Sequence, residues 1–252
     1  MPIIIDNLLK DDNLSQMGKP FAEAKVEIMN AEKRLPAVLL VDTSGSMRSY
    51  KSLLKDSVEG VYDSILSNRK ASNVIELGVM TFKSEIQVLE KLREIKLQKS
   101  KGKNLDFECN GVTLTGLAVK AALAHLRARE VAYEEAKPAV HHYAPILFFI
   151  SDGNLECYDG AVKSQEERAR RESIAYIKHE VEKNRLIVIS VEVGDYCDHS
   201  LVTQLTGLND DKHICKLNDF EKVFKFIWNH IQGAHPCGSW SLSDFSFKDM
   251  NF

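Results

Sequence analysis

The sequence predicts an α/β fold, a mostly parallel sheet covered by helices on both faces. Three observations predict it. Short apolar runs at 35–41, 146–151 and 186–193 are each bounded by polar or turn-forming residues, as expected of strands buried on both faces. Segments with helical spacing alternate with these runs, as the crossovers between parallel strands require. Two further strand-like runs, 74–82 and 85–95, are joined by a short turn, so one antiparallel strand is expected at an edge.

The elements follow in order. Residues 1–34 are polar and mixed, with a helix expected around 21–33, and are read as an extension before the main domain. The run Leu35-Pro36-Ala37-Val38-Leu39-Leu40-Val41 is the first buried strand and stops at Asp42-Thr43-Ser44-Gly45-Ser46. From Tyr50 to Leu66, apolar residues at Leu53, Leu54, Val58, Val61, Ile65 and Leu66 keep helical spacing. After the antiparallel pair comes an Ala- and Leu-rich helix, Leu114 to Arg129, then the strand Ile146 to Ser151. A charged helix, Ser164 to Asn184, leads to the strand Leu186 to Val193. A short helix at Leu201–Leu205, a strand at His213–Lys216 and a helix from Asp219 to Ile231, with Asn218 or Asp219 as N-cap, complete a domain spanning 35–232. Such alternation defines a doubly wound, Rossmann-like sheet. The tail 233–252 places Trp240, Phe245, Phe247 and Phe252 among Ser, Asp and Gly; it is read as a strap on the domain's own surface, with a docking segment as the alternative.

Composition narrows the functional classes. Hydrophobic residues make up 44% and charged residues 27%, ordinary values for a globular chain. A net charge of −3 gives no electrostatic case for nucleic acid. The longest apolar run, 145–150, is far short of the roughly 20 residues that span a bilayer. The first residues, Met1-Pro2-Ile3-Ile4-Ile5-Asp6, lack the basic and apolar regions of a signal peptide. Five cysteines (Cys109, Cys157, Cys197, Cys215, Cys237) are scattered with no CxxC pair, which points to reduced thiols and a cytoplasmic location.

Loops at the carboxyl ends of parallel strands are where such sheets bind ligands. Three of these loops carry oxygen donors: Asp42, Ser44 and Ser46; Thr113 and Thr115; Ser151 and Asp152. Oxygen without sulfur or imidazole suits a hard cation, magnesium first, then manganese or calcium. Only Asp42 and Asp152 are anionic, so a dication held here stays electrophilic and accepts a further anionic ligand. A partner protein's Glu or Asp is the natural donor.

These residues resemble the metal-ion-dependent adhesion site of von Willebrand factor A domains, in Asp42-x-Ser44-x-Ser46, Thr113 of Thr-x-Thr-Gly, and Asp152-Gly153. The resemblance covers roughly 35–232 and implies a non-enzymatic protein-interaction module. By match to the family's spacing, Asp42, Ser44, Ser46, Thr113 and Asp152 would hold the metal and Thr115 would cap the next helix. The wording of 35–47 and of Phe148-Phe149-Ile150-Ser151-Asp152-Gly153 looks most like bacterial TerY-type proteins of tellurium-resistance and stress clusters. That likeness implies kinase and phosphatase partners encoded nearby. Two features depart from it: the N-terminal extension, and the basic stretch from Lys96 to Cys109, expected to alter access to the site.

Taken singly, each residue has an ordinary explanation. Asp42 and Asp152-Gly153 suit turns, and Ser44, Ser46, Thr113 or Thr115 suit helix caps. Their convergence on one sheet edge is what favours a metal. His141-His142 is expected in a solvent-facing loop, and the charged run Ser164–Arg171 on a solvated helix face. Cys157-Tyr158-Asp159 with Cys197-Asp198-His199 lacks zinc-type spacing. Two rival functions remain: a metal-dependent hydrolase or phosphatase, and a scaffold whose metal is purely structural. Phosphatases of the haloacid-dehalogenase type need a second carboxylate two residues after the first, where this chain has Ser44. Neither a G-x-x-x-x-G-K-[ST] loop nor a G-x-S-x-G elbow is present.

Overall fold

A computed structural model describes residues 2–3, 33–154, 160–195, 197–208, 211–233 and 247. At the centre of the sheet lies β2 (Leu35–Asp42), between β3 (Ile75–Phe82) and β5 (Ile146–Ser151), both parallel to it. Beyond β5 the sheet continues in parallel through β6 (Ile187–Glu192) and β7 (Ile214–Lys216). On the other side β4 (Ile86–Glu94) runs antiparallel to β3, as the short turn between them requires. One strand was not anticipated. The two-residue β1 (Pro2–Ile3) pairs antiparallel with β4 at Ile86 and Gln87, so the chain's first residues return to the domain's edge.

The helices are α1 (Lys51–Leu66), α2 (Arg69–Val74), α3 (Thr115–Glu135), α4 (Gly160–Glu182), α5 (His199–Leu205) and α6 (Phe220–Gly233). Side chains alternate across a strand, and β2 shows what that does to the core. Leu35, Ala37, Leu39 and Val41 pack in one cluster with Leu54, Val58 and Val61 of α1 and Val223, Phe224 and Ile227 of α6. Val38 and Leu40 pack in the other with Leu117 and Ala121 of α3, Ile177 of α4 and Val202 of α5. All eight β2 residues are buried, which explains the unbroken apolar run.

Several boundaries differ from the sequence reading for local reasons. Val74 ends α2 rather than opening β3, because the Asn68 side chain accepts from the amides of Lys70 and Ala71 and starts a helical turn. Helix α3 runs six residues past Arg129, carried by the buried Tyr133 and by Arg127, which pairs with Glu130 and Glu134. A 3-10 turn at Leu217–Asp219 leads into α6, and Asp219 there accepts from Lys222 Nζ at 3.2 Å. The helix expected at 21–33 lies outside the described residues except for Lys33, which is not helical. In the tail Gly233 ends α6, and beyond it only Phe247 is described; it is buried, near the rings of His213 and Phe226, and its amide donates to the Lys212 carbonyl at 2.8 Å. That residue behaves as the strap reading expects.

Candidate metal centre

Asp42 ends β2 where the strand order turns, with β3 on one side and β5 on the other. A crevice at the carboxyl ends of parallel strands opens at such a point. The loop after Asp42 is pinned on both sides. Thr43 donates from its amide and its hydroxyl to the Phe82 carbonyl, at 2.8 and 3.2 Å. Asn110 donates to the Thr43 carbonyl and Gly45 to the Gly111 carbonyl, each at 3.0 Å, which ties in the loop that carries Thr113.

Both oxygens of Asp42 are held. Oδ1 accepts from the Ser44 amide at 2.8 Å, and Oδ2 accepts from the Ser151 hydroxyl at 2.7 Å. The Gly153 amide in turn donates to Ser151 Oγ at 2.9 Å. The hydroxyls of Ser44 and Ser46 lie 3.2 Å apart. Gly153 has φ +73, and a Cβ there would meet the Asp198 backbone at 2.9 Å, so only glycine lets the chain turn so close to α5. Asp152 sits half-buried at the rim, and its carbonyl accepts from the Asp198 amide at 3.0 Å. A cleft of about 460 Å³ opens between Ser46, Ser49 and Tyr50 on one wall and Asp152, Asn154 and Asp198 on the other.

Asp42 is fully buried, and no lysine or arginine pairs with it among the described residues. Burial pushes its carboxyl up to about 6; the hydrogen bonds from Ser151 and Ser44 only partly offset this, and the Asp152 charge adds to it. An anion held in low dielectric without a counter-charge is costly, and a dication relieves that cost directly. The donors around it suit such an ion. They are carboxylates and hydroxyls, and the described residues contain no cluster of three or more His, Cys, Asp or Glu side chains of the kind zinc favours. Ser44 and Thr113 are buried and Ser46 is exposed, so the set is closed below and open above.

Thr115 does not cap the helix as expected. It is the first residue of α3, and its buried hydroxyl has no hydrogen-bond partner among the described residues. The cap comes instead from Glu166 of α4, whose carboxylate accepts from the amides of Gly116 and Leu117. Sequence reasoning placed Glu166 on a solvated helix face; it is buried, and it joins the helix after Thr113 to the helix after Asp152. The signal was faint, because the cap arrives from about 50 residues away. Gly116 completes the arrangement: a Cβ there would lie 2.5 Å from the backbone of Glu166 and Arg170. Removing the carboxylate in Glu166→Ala strands two buried amides and takes an anion from a helix N-terminus. The expected loss of stability is about 1–3 kcal/mol, read as a lower urea midpoint. An unchanged midpoint would show that this cap is not stabilising.

The stretch from Lys96 to Cys109 is laid along the domain. Gln98 is buried between the Tyr62 hydroxyl, which donates to it at 2.7 Å, and the Leu77 carbonyl; Leu105, Phe107 and Cys109 join the core. His142 is half-buried and lies 5.2 Å from the Tyr133 ring, so it is less open than a loop reading implies. His199 bonds Glu192 and Asp211, at 2.6 and 2.9 Å, through opposite ring nitrogens; Cys157, Tyr158 and Asp159 lie outside the described residues.

Residues 37–228 match the sequence model of the von Willebrand factor type A domain, and the chain belongs to that family. No curated protein matches it. Among solved structures, the chain is similar to the manganese-loaded TRAP protein of Plasmodium vivax, with 19% identity and TM-score 0.54 over 77% of this chain and 74% of that one. It is also similar to the vWF domain of the pilus tip protein Mfa5 from Porphyromonas gingivalis, with 10% identity and TM-score 0.54 over 82% of this chain and 99% of that one. A third likeness is to proximal thread matrix protein 1 from the mussel byssus, with 12% identity and TM-score 0.51; the match takes in 78% of this chain but 47% of that protein. At such identities these likenesses establish the fold.

Proposed function

We propose that this domain holds a divalent cation, magnesium first, through Asp42, Ser44, Ser46, Thr113 and Asp152, directly or through water. The ion's open position takes a carboxylate from a partner protein. The observation that carries this reading is the fully buried Asp42 carboxylate, clasped by two donors and without a cationic partner among the described residues. That a structurally similar protein is manganese-loaded supports a divalent ion in this one. Five oxygen donors leave one of magnesium's six coordination positions for a ligand supplied in trans.

The module is read as non-enzymatic. Ser44 stands where a phosphatase of the haloacid-dehalogenase type would need its acid. Within the family we place the chain with TerY-type proteins, working with a kinase and a phosphatase in a bacterial stress response; the wording of 35–47 and 148–153 supports this. Cytoplasmic placement is supported by the free thiols of Cys109, Cys197 and Cys215, all held protonated by burial. No helix among the described residues is long and apolar enough to cross a membrane. We keep 35–232 as the module, with 1–34 and 233–252 as flanking segments that add Pro2–Ile3, Arg34 and Phe247 to it.

Thermal unfolding in magnesium against chelator tests the metal. With the ion at about 100 times its Kd, linkage adds about 2.7 kcal/mol, or roughly 5–10 °C for a domain of this size. A melting temperature indifferent to millimolar magnesium and manganese would remove the reading.

A further inference from the structure

We propose that Glu166 is a positioning residue for the metal site: by clamping the start of α3 it holds Thr113 in place, and the affinity for the divalent ion depends on that clamp. The inference rests on the metal reading above and extends it to a side chain that is not itself a ligand. Glu166 lies on α4, whose chain follows β5 and Asp152, yet its carboxylate acts on α3, whose chain follows Thr113.

Thr113 sits on a short span between two anchors. The first holds 110–112 to the loops after β2 and β3. Asn110 donates to the Thr43 carbonyl, Gly45 donates to the Gly111 carbonyl and the Val112 amide donates to Ser84 Oγ, each at 3.0 Å. The second holds 116–117 to α4. The amides of Gly116 and Leu117 both donate to the Glu166 carboxylate, the latter at 3.0 Å. Between the anchors lie Thr113, Leu114 and Thr115. Leu114 contributes a bond of the helix itself, its carbonyl accepting from the Ala118 amide at 3.0 Å. Thr115 adds no tether through its side chain, because its buried hydroxyl has no hydrogen-bond partner among the described residues. Glu166 is therefore what fixes the span on the side away from Asp42.

The clamp has little slack. A carboxylate that accepts from two neighbouring amides fixes direction as well as distance, and as an anion at the start of a helix it is held by the helix dipole too. Glu166 is buried, and Gly116 lets the two backbones touch: a Cβ there would lie 2.5 Å from the Glu166 carbonyl oxygen and the Arg170 amide nitrogen. Without the carboxylate, the first turn of α3 opens locally, and that turn begins two residues past Thr113. An ion that needs Thr113 in one position then binds only the fraction of molecules that hold it there, and its apparent affinity falls by that fraction.

The test is calorimetric titration of magnesium into the full chain, wild type against Glu166→Gln, at a temperature where circular dichroism shows both folded. Glutamine keeps the size and one acceptor but turns a donor toward the second amide. The affinity is expected to fall about tenfold, the low end of what groups supporting metal ligands contribute. Ile177→Val is the control: it lies on the same helix, about three turns further along, with its side chain in the core. It lowers the urea midpoint and leaves the magnesium affinity unchanged. Hydrogen exchange in the wild type gives a reading that needs no variant, and it decides the matter if Glu166→Gln does not fold. Coupling is reciprocal, so saturating magnesium slows exchange at the Gly116 and Leu117 amides by about the same tenfold. The Val140 amide, which donates to the Tyr133 carbonyl beyond the other end of α3, is unaffected. An undiminished affinity in Glu166→Gln, an equal loss in Ile177→Val, or exchange at 116 and 117 indifferent to magnesium overturns the role of Glu166 and leaves the metal reading standing. A wild type that takes up no magnesium removes both.

Discussion

Asp42→Asn is expected to abolish divalent-ion binding while leaving the apo domain at least as stable as the wild type. The amide keeps the carboxylate's shape: its oxygen still accepts from the Ser44 amide, and its NH2 faces Ser151 Oγ, where Oδ2 now accepts. What disappears is a buried charge without a cationic partner among the described residues. Burial alone already pushes that carboxyl up to about 6, a sign that the apo fold carries the anion at a cost. A purely architectural aspartate predicts a different result, since replacing it destabilises the domain with or without metal. The measurement is paired urea unfolding in magnesium and in chelator. In the wild type the two curves separate by up to about 2.7 kcal/mol at 100 times Kd; in Asp42→Asn they coincide. A variant that retained the magnesium-dependent separation would contradict the assignment of Asp42 as a ligand.

Arg129→Met is expected to cost about 3–5 kcal/mol, more than any other single change considered, without touching the metal loops. Glu76 and Glu94 lie directly opposite each other across β3 and β4, at the far end of β3 from Phe82 and Asp42. Each carboxylate has its own arginine. Arg34, just before β2, meets Glu94 at 2.6 Å, and Arg129 of α3 pairs with Glu76, to which the Tyr133 hydroxyl also donates at 2.8 Å. Methionine preserves the apolar stem of Arg129 but leaves a charge on Glu76, which is 1% exposed. The double variant Glu76→Gln/Arg129→Met recovers most of the loss, because neither charge is then left alone. Urea unfolding reads both. A single-variant cost under about 1 kcal/mol would show that water or a neighbour already neutralises Glu76.

What the sequence made legible follows the range over which its signals act. The strands at 35–42, 146–151 and 187–192 are local runs whose burial on both faces writes itself as unbroken apolar sequence. Asp42, Ser44, Ser46 and Asp152 were legible because strand ends at a turn in the strand order are where side chains converge. Contacts made across the fold left little trace. Glu166 looked like any helix-surface glutamate, although it caps another helix; Gln98 looked like part of a basic loop, although it fills a buried slot beside Tyr62. Thr115 shows the opposite failure. Its local pattern suggested a cap, but a carboxylate brought in by packing performs that task. The two buried arginine–glutamate pairs were likewise invisible, since nothing within a few residues of Arg34 or Arg129 marks either as buried.

The most direct measurement is anomalous scattering from a manganese-soaked crystal of the wild-type chain. The account predicts one strong peak among the oxygens of Asp42, Ser44, Ser46, Thr113 and Asp152, with one coordination position facing the cleft. Manganese bound elsewhere, or no peak at these oxygens at saturating ion, would contradict it.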